Sequence, residues 1–471
     1  MINARIEEQI KFFFPYEPTL EQEKVIKALS EFVSNYNNSE AFIMQGYAGT
    51  GKTSIVSSLV KALKHTGAKT VLLAPTGRAA KVFSSYSNSK AHTIHKHIYW
   101  QKTGADLSAN YTLKENLHTN TLFIIDESSM ISSQYGANGF GSGVLLDDLM
   151  QYIYNDKGCK ALFVGDTAQL APIGEDYTAA LSSDVIGSYG VDVIQMEMKK
   201  VLRQSEQSGI LWNATQIRIK INDEDYINLP KIKISGFADI KVIGSADIID
   251  EIGNSYSKVG KEDTIIICRS NKRANIFNKG VRAQVLWCEG ELENGDMIMI
   301  AKNNYMWTEE IAEIDFIANG ESAIVRRVRK TRELYDFRFA DVTLSFPNLE
   351  DIEIDVTILL DTLNNDSPAL PQHEQERLYN NVMEDYEDIK NKAERIKQLK
   401  TNQYYNALQV KYAYAITCHK SQGGQWKHVF IDQAYMSKEY ITPDFPKWLY
   451  TAFTRATDTL YLMNYPEEFT Y

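Results

Sequence analysis

Eight consecutive residues, Gly46-Tyr47-Ala48-Gly49-Thr50-Gly51-Lys52-Thr53, set the frame into which the rest of the chain must fold. They match the pattern G-x-x-x-x-G-K-[ST]. The glycines let backbone N–H groups curl around phosphate oxygens, Lys52 brings a point charge to the outer phosphates, and the Thr53 hydroxyl can hold Mg2+. Such a loop works only between a strand and a helix. Ala41-Phe42-Ile43-Met44 is a short apolar run before it, and Ile55, Val56, Leu59, Val60 and Leu63 recur at helical spacing after it. The helix N-terminus is therefore aimed at phosphate, and nucleoside triphosphate chemistry is the expectation.

The first half repeats this theme of an apolar strand running into a polar motif. Val71-Leu72-Leu73-Ala74 leads into Pro75-Thr76-Gly77-Arg78, Leu122-Phe123-Ile124-Ile125 into Asp126-Glu127, and Ala161-Leu162-Phe163-Val164 into Gly165-Asp166-Thr167-Ala168-Gln169. Unbroken apolar strands alternating with helices predict a parallel sheet buried on both faces, with ligands at the strands' carboxyl ends. A second set follows in Thr264 to Ile267, Val410 to Ala415, His428 to Ile431 and Leu460 to Leu462. Between Leu292 and Asn406 the texture changes to short alternating segments with Asn-Asn and Asn-Gly turns, which predicts a small barrel. Within it, Gln372 to Lys400 is charged and helix-prone, either a solvated helical pair or a mobile arm. The stretch from Lys96 to Asn120 reads as a projecting hairpin around Thr103-Gly104-Ala105-Asp106.

At 471 residues the chain calls for more than one domain. Its apolar runs are of strand length and its N-terminus lacks a basic stretch followed by an apolar one, so residence in the cytoplasm is expected. Cys159, Cys268, Cys288 and Cys418 are far apart, which argues against a zinc site or a disulfide framework. The net charge of −11 neither advertises nor excludes a nucleic-acid partner, because phosphate affinity depends on local positive surface.

Asp126 and Glu127 after an apolar strand complete a phosphate-loop site: the first can hold the Mg2+ shell and the second can take a proton from attacking water. Gln169, in Gly165-Asp166-x-x-Gln169-Leu170, is placed either to sense the γ-phosphate or merely to follow a turn and helix cap. Arg203 and Arg455 are candidates to neutralise charge developing on the transferred phosphoryl group, although spacing alone promotes neither. Gln22 can close a capping box with Thr19.

Taken in order, Gln22, Gly46 to Thr53, Ala74 to Ala80, Thr93-Ile94-His95-Lys96, Asp126-Glu127, Gly165 to Leu170, Val201-Leu202-Arg203-Gln204, Thr417 to Gly423 and Tyr450 to Ala456 resemble the superfamily 1 helicases of the RecD/Dda-like, 5′-to-3′ branch. The resemblance runs from about residue 15 onward. It implies an α/β fold of two RecA-like P-loop NTPase lobes, the first carrying a β-hairpin insertion and the second a small β-barrel plus a helical insertion. The first lobe is expected over 1–200 with its hairpin at 97–120, the second over 201–291 and 407–471, and the barrel with its charged arm over 292–406.

The same resemblance gives roles to residues. ATP and Mg2+ are the implied cofactors, with Gln22 at the adenine, Gly46, Ala48, Gly49, Thr50, Gly51, Lys52 and Thr53 around the phosphates, Asp126 with Thr53 at the metal, and Gln422 and Gly423 lining the cleft. Lys52, Glu127, Gln169, Arg203 and Arg455 form the implied catalytic set. Single-stranded and tailed duplex DNA are the implied partners, met at Pro75, Thr76, Thr93, His95, Thr417, His419 and Ser421, which suit phosphate hydrogen bonding and stacking. Trp100 or Tyr111 is the candidate wedge of a strand-splitting pin. A monomer is expected. An RNA helicase on the same lobes, or a translocase that does not unwind, are the competing readings.

Overall fold

A computed structural model describes the chain apart from residues 1, 36–38, 102–110, 137–140, 156, 202–207, 224–230, 309–310, 312–315, 348–351, 434–441, 443 and 467–468, and apart from the side chains of 2–4, 101, 111, 392 and 393. Eight strands come first: β1 (Glu40–Gly46), β2 (Lys69–Ala74), β3 (Ala91–Thr93), β4 (Tyr99–Gln101), β5 (Tyr111–Leu113), β6 (Thr121–Ile125), β7 (Lys160–Gly165) and β8 (Asp192–Met198). Six of them form a parallel sheet in the order β3-β2-β6-β7-β1-β8. Side chains alternate across it, so each apolar run feeds two cores. Phe42, Met44, Ile124 and Leu162 pack with the helices Ile2–Phe13, Leu20–Ser34 and Lys52–Thr66 on one face. Ile43, Leu73, Phe123 and Phe163 pack with the helix Leu145–Ile153 on the other.

β4 and β5 pair antiparallel, Trp100 opposite Thr112, as the stem of the expected hairpin. Its tip, Thr103 to Asp106, lies outside the described residues.

The chain next lays down β9 (Ile240–Ile243) and β10 (Thr264–Cys268), and then enters a closed barrel of β11 (Met297–Ile300), β12 (Ser322–Leu334), β13 (Phe337–Phe346), β14 (Ile352–Leu359) and β15 (Leu408–Tyr412). It returns as β16 (Ala415–Thr417), β17 (Trp426–Asp432) and β18 (Ala456–Met463), completing a second parallel sheet ordered β16-β10-β17-β18-β9. The apolar run Val410 to Ala415, read as one strand of the second lobe, is thus divided between barrel and sheet, and the insertion extends past residue 406. The side chain of Asn278 holds the change of partner. Its amide donates to the Tyr412 and Ala415 carbonyls and its oxygen accepts from Tyr414 N and Ala415 N at 2.8–3.3 Å.

β12 and β13 are joined by Tyr335 and Asp336, both at positive φ (56° and 61°), the geometry of a tight two-residue hairpin turn. The charged helices Gln372–Glu384 and Lys392–Thr401 dock on this hairpin rather than standing in solvent. Leu378, Val382 and Leu399 bury themselves against Phe337, Phe339 and Leu359, and the Tyr404 ring lies 5.1 Å from that of Phe339. A stripe of so few apolar residues suffices because its partners come from a distant hairpin.

Cys159, Cys268 and Cys418 are buried free thiols and Cys288 is a half-buried one. Among the described residues no group of three or more histidine, cysteine, aspartate or glutamate side chains is placed to hold a metal ion, and no helix is long and apolar enough to cross a membrane.

Because Leu399 is fully buried in this satellite core, Leu399→Ala should cost about 2–4 kcal/mol of local stability. Amide exchange should quicken in Gln372–Glu384 while the helices flanking the first sheet keep their protection.

Candidate active site between two lobes

The phosphate loop leaves β1 at Gly46 and enters the helix Lys52–Thr66 at Gly51. Gly49 and Gly51 have φ of +77° and +95°, where a side chain would be strained. A Cβ on Gly46 would lie 2.8 Å from Thr50 Oγ1, so glycine is also needed there for space. The Thr50 hydroxyl donates to the Tyr47 carbonyl at 2.8 Å, and Lys52 Nζ spans the loop to the Gly46 carbonyl and, at 3.0 Å, to that of Tyr47. Gln22 is nearly fully buried: its oxygen accepts from Thr19 N in a capping box and its amide donates to the Thr50 carbonyl at 2.9 Å. It therefore ties the helix Leu20–Ser34 to the loop backbone.

Asp126 and Glu127 follow β6 at the carboxyl edge of the sheet. Asp126 Oδ1 accepts the Glu127 N–H at 2.9 Å and Oδ2 accepts the Tyr86 hydroxyl at 2.6 Å. Glu127 has φ of +51°, an uncommon conformation for a non-glycine residue and one associated with functional sites. Burial raises both carboxyls above their ordinary pKa. Lys52 opposes this at both, and Arg455 opposes it more strongly at Glu127.

The chemistry of this set fits a magnesium nucleotide. Thr53 is exposed at the helix start, next to Lys52, which lies within electrostatic reach of both carboxyls. Gln169 is 5% exposed, and its side-chain oxygen is buried without a hydrogen-bond partner, an acceptor waiting for a donor such as water.

The opposite wall comes from the second lobe. On the helix Asp444–Phe453, the Tyr450 hydroxyl accepts the Ala48 N–H of the phosphate loop at 2.9 Å and donates to Asp166 at 2.7 Å. Thr451 Oγ1 accepts from Leu170 N at 2.9 Å, and the Gln422 amide donates to the Leu170 carbonyl at 2.7 Å. Arg455 is buried, its guanidinium donating to Thr451 O, Gly424 O and Thr454 Oγ1, with Glu127 within electrostatic reach. Arg203 lies outside the described residues. Gly423, expected to help line the cleft, is where the second lobe abuts the helix Gly77–Ser87: at φ +70°, its Cβ position falls 2.7 Å from Ala79 Cβ.

Pro75 and Thr76 at the end of β2 and Thr93 at the end of β3 lie on the carboxyl rim of the first sheet, Thr417 at the end of β16 lies on that of the second, and all four are half-buried. Thr76 and Thr93 also cap the helices that follow them. Burial drives the His95 pKa down to about 4 and lowers that of His419, so near neutral pH both present uncharged rings. Ser421 is a correction. It is fully buried and donates to the Cys418 carbonyl at 2.7 Å, which leaves its side chain no access to a strand on the surface.

Arg269 at the end of β10, missed in the sequence, lies 5.3 Å over the Phe445 ring and 6.0 Å over Trp448. With His419 they line a cavity of about 250 Å3 between the lobes. A groove of about 580 Å3 between the first lobe and the barrel is lined by Lys81, Lys90, Thr93, Lys96 and Phe316.

Comparison with known proteins follows the same division. An AAA domain matches residues 21–225 and a UvrD-like helicase C-terminal domain matches 412–463, the two segments that supply opposite walls of the cleft. The chain is 24% identical to an uncharacterized protein of Acanthamoeba polyphaga mimivirus, covering 94% of this chain and 99% of that one. It is 25% identical to the ATP-dependent DNA helicase dda of Enterobacteria phage T4 over 55% of each chain, so just over half the length of that relative is matched. A crystal structure of Pif1 helicase from Bacteroides with ADP-AlF3 and ssDNA superposes with a TM-score of 0.48 at 16% identity, over 95% of this chain and 93% of that one.

These matches support a superfamily 1 helicase of the RecD/Dda-like branch. The chain is an ATP-hydrolysing enzyme with two RecA-like lobes.

In this helicase the residue whose role was least visible beforehand is Tyr450, because its two partners come from sequence segments hundreds of residues away. Tyr450→Phe removes a bridge between a loop N–H and a carboxylate. Hydrogen bonds to charged groups are worth about 1.5–3 kcal/mol, so kcat/KM for ATP should fall roughly tenfold to a hundredfold. Steady-state hydrolysis kinetics read this directly, with the melting temperature as a check on folding.

Proposed function

We propose that this enzyme is a DNA helicase that uses ATP and Mg2+ to move 5′-to-3′ along single-stranded DNA and to separate duplex ahead of it. The observation that carries the reading is the cleft itself, where Tyr450, Thr451 and Gln422 of one lobe hydrogen-bond to the phosphate loop and to Asp166 and Leu170 of the other. A nucleotide bound here touches both lobes, so its chemistry acts on the distance between them.

In this reading the loop amides and Lys52 hold the phosphates. Thr53 and Asp126 would hold Mg2+, which supplies positive charge to the phosphate oxygens when bound. Glu127, its proton affinity raised by burial, takes the proton of the attacking water, and the unpartnered oxygen of Gln169 orients that water. Arg455 and Arg203 neutralise charge as it develops. Loss of the γ-phosphate removes the anion shared by the lobes and lets them part, an order-by-phosphate switch.

DNA as the track is supported by the name of the phage T4 relative. The polarity rests on the branch the motifs resemble. The β4–β5 hairpin, with Trp100 half-exposed at its stem, is the proposed pin. Both walls of the cleft come from one chain, which supports a monomer.

Unwinding of 5′-tailed, 3′-tailed and blunt duplexes, each as DNA and as RNA, tests the whole reading. The 5′-tailed DNA should open fastest and only with ATP and Mg2+. Preference for 3′-tailed DNA contradicts the polarity, preference for RNA contradicts the substrate, and hydrolysis without opening leaves a translocase.

A further inference from the structure

The helix Gly77–Ser87 touches four other parts of the molecule. At its start, the Arg78 guanidinium stacks 3.9 Å over the Trp426 ring of the second lobe, and a Cβ on Gly77 would fall 1.5 Å from Glu321 Oε1 of the barrel. Ala79 meets Gly423. Near its end, the Tyr86 carbonyl accepts from Ser57 Oγ of the phosphate-loop helix at 2.7 Å, and the Tyr86 hydroxyl donates to Asp126 Oδ2 at 2.6 Å.

That last bond changes what Asp126 can do. Its other oxygen already accepts the Glu127 N–H at 2.9 Å, so the two donors together fix the plane of the carboxylate. Each carboxylate oxygen has a second lone pair, and those are the positions left for a metal or its water. The Tyr86 ring is itself held, stacked on Phe83 at 5.2 Å. Tyr86 also lines a cavity of about 160 Å3 with Thr53, Ser54 and Ser57, so the residue borders open space shared with the threonine expected at the metal.

We propose that Tyr86 is a positioning residue for magnesium: it holds the Asp126 carboxylate in the orientation that takes up the ion of the bound nucleotide. The inference rests on the reading of this cleft as a magnesium–ATP site. Because the same helix bears on the second lobe and the barrel, the grip on the ion is tied mechanically to the seating of those parts.

The test is the affinity for a fluorescent ADP measured in Mg2+ and in EDTA, for the wild type, Tyr86→Phe, Asp126→Asn and the double variant. Groups that orient a metal ligand contribute about tenfold to a hundredfold in metal affinity. Tyr86→Phe, which keeps the ring stack, should therefore shrink the Mg2+-dependent gain in affinity about tenfold or more and leave affinity in EDTA unchanged. In the Asp126→Asn background the same substitution should have no further effect on that gain, because Tyr86 acts through Asp126. An undiminished gain overturns the proposal, and so does a loss equal in Mg2+ and EDTA, which would assign Tyr86 to packing alone. A wild type with no Mg2+-dependent gain would fail the magnesium–ATP reading instead.

Discussion

One hydroxyl group joins the two halves of the active site. Tyr450, on a helix of the second lobe, accepts the Ala48 N–H from the phosphate loop and donates to Asp166 at the end of β7. An N–H of such a loop is a donor that phosphate can use, and Asp166 belongs to the turn that places Gln169. The cleft is further sealed by apolar contact, since Tyr47, Ala168 and Leu170 of the first lobe belong to the same buried cluster as the core of the second lobe and barrel. Individual hydrogen bonds are worth about 0.5–1.5 kcal/mol net, so this seam can be broken and remade within the free energy of a bound nucleotide.

The electrostatics follow from that closure. Arg455 of the second lobe lies within electrostatic reach of Glu127; desolvation raises the pKa values of both Asp126 and Glu127, and the arginine counters it at Glu127. A carboxylate of the first lobe and a guanidinium of the second thus interact across the cleft, as the proposed roles of water activation and charge neutralisation require. In the proposed function their alignment depends on the seam holding, which would confine hydrolysis to the closed arrangement and couple strand movement to it.

Much of this was legible in the sequence, and the misses have a common cause. The apolar runs identified as strands became β1, β2, β6, β7, β10, β17 and β18, the inner strands of both sheets. The unrecognised strands β3, β8 and β9 are sheet edges, which are short or only partly buried and so lack a continuous apolar signal. The β15-to-β16 switch was hidden because both strands lie in one apolar run and Asn278, which directs the bend, comes from elsewhere. The phosphate loop and its carboxylates could be read because their spacing is local. Tyr86, Tyr450 and Arg269 could not, because each acquires its meaning from a partner brought close only by folding. Ser421 shows the reverse error, a motif residue whose hydroxyl is spent inside the fold.

The central claim is that nucleotide at this loop controls the separation of the lobes. The most direct measurement is single-pair FRET between dyes at the exposed positions Lys64 of the first lobe and Lys258 of the second, with single-stranded DNA bound. The account predicts two distances, the shorter dominant with a non-hydrolysable ATP analogue and the longer without nucleotide or with ADP. A single distance, unchanged across nucleotide states while ATP is being hydrolysed, would contradict it.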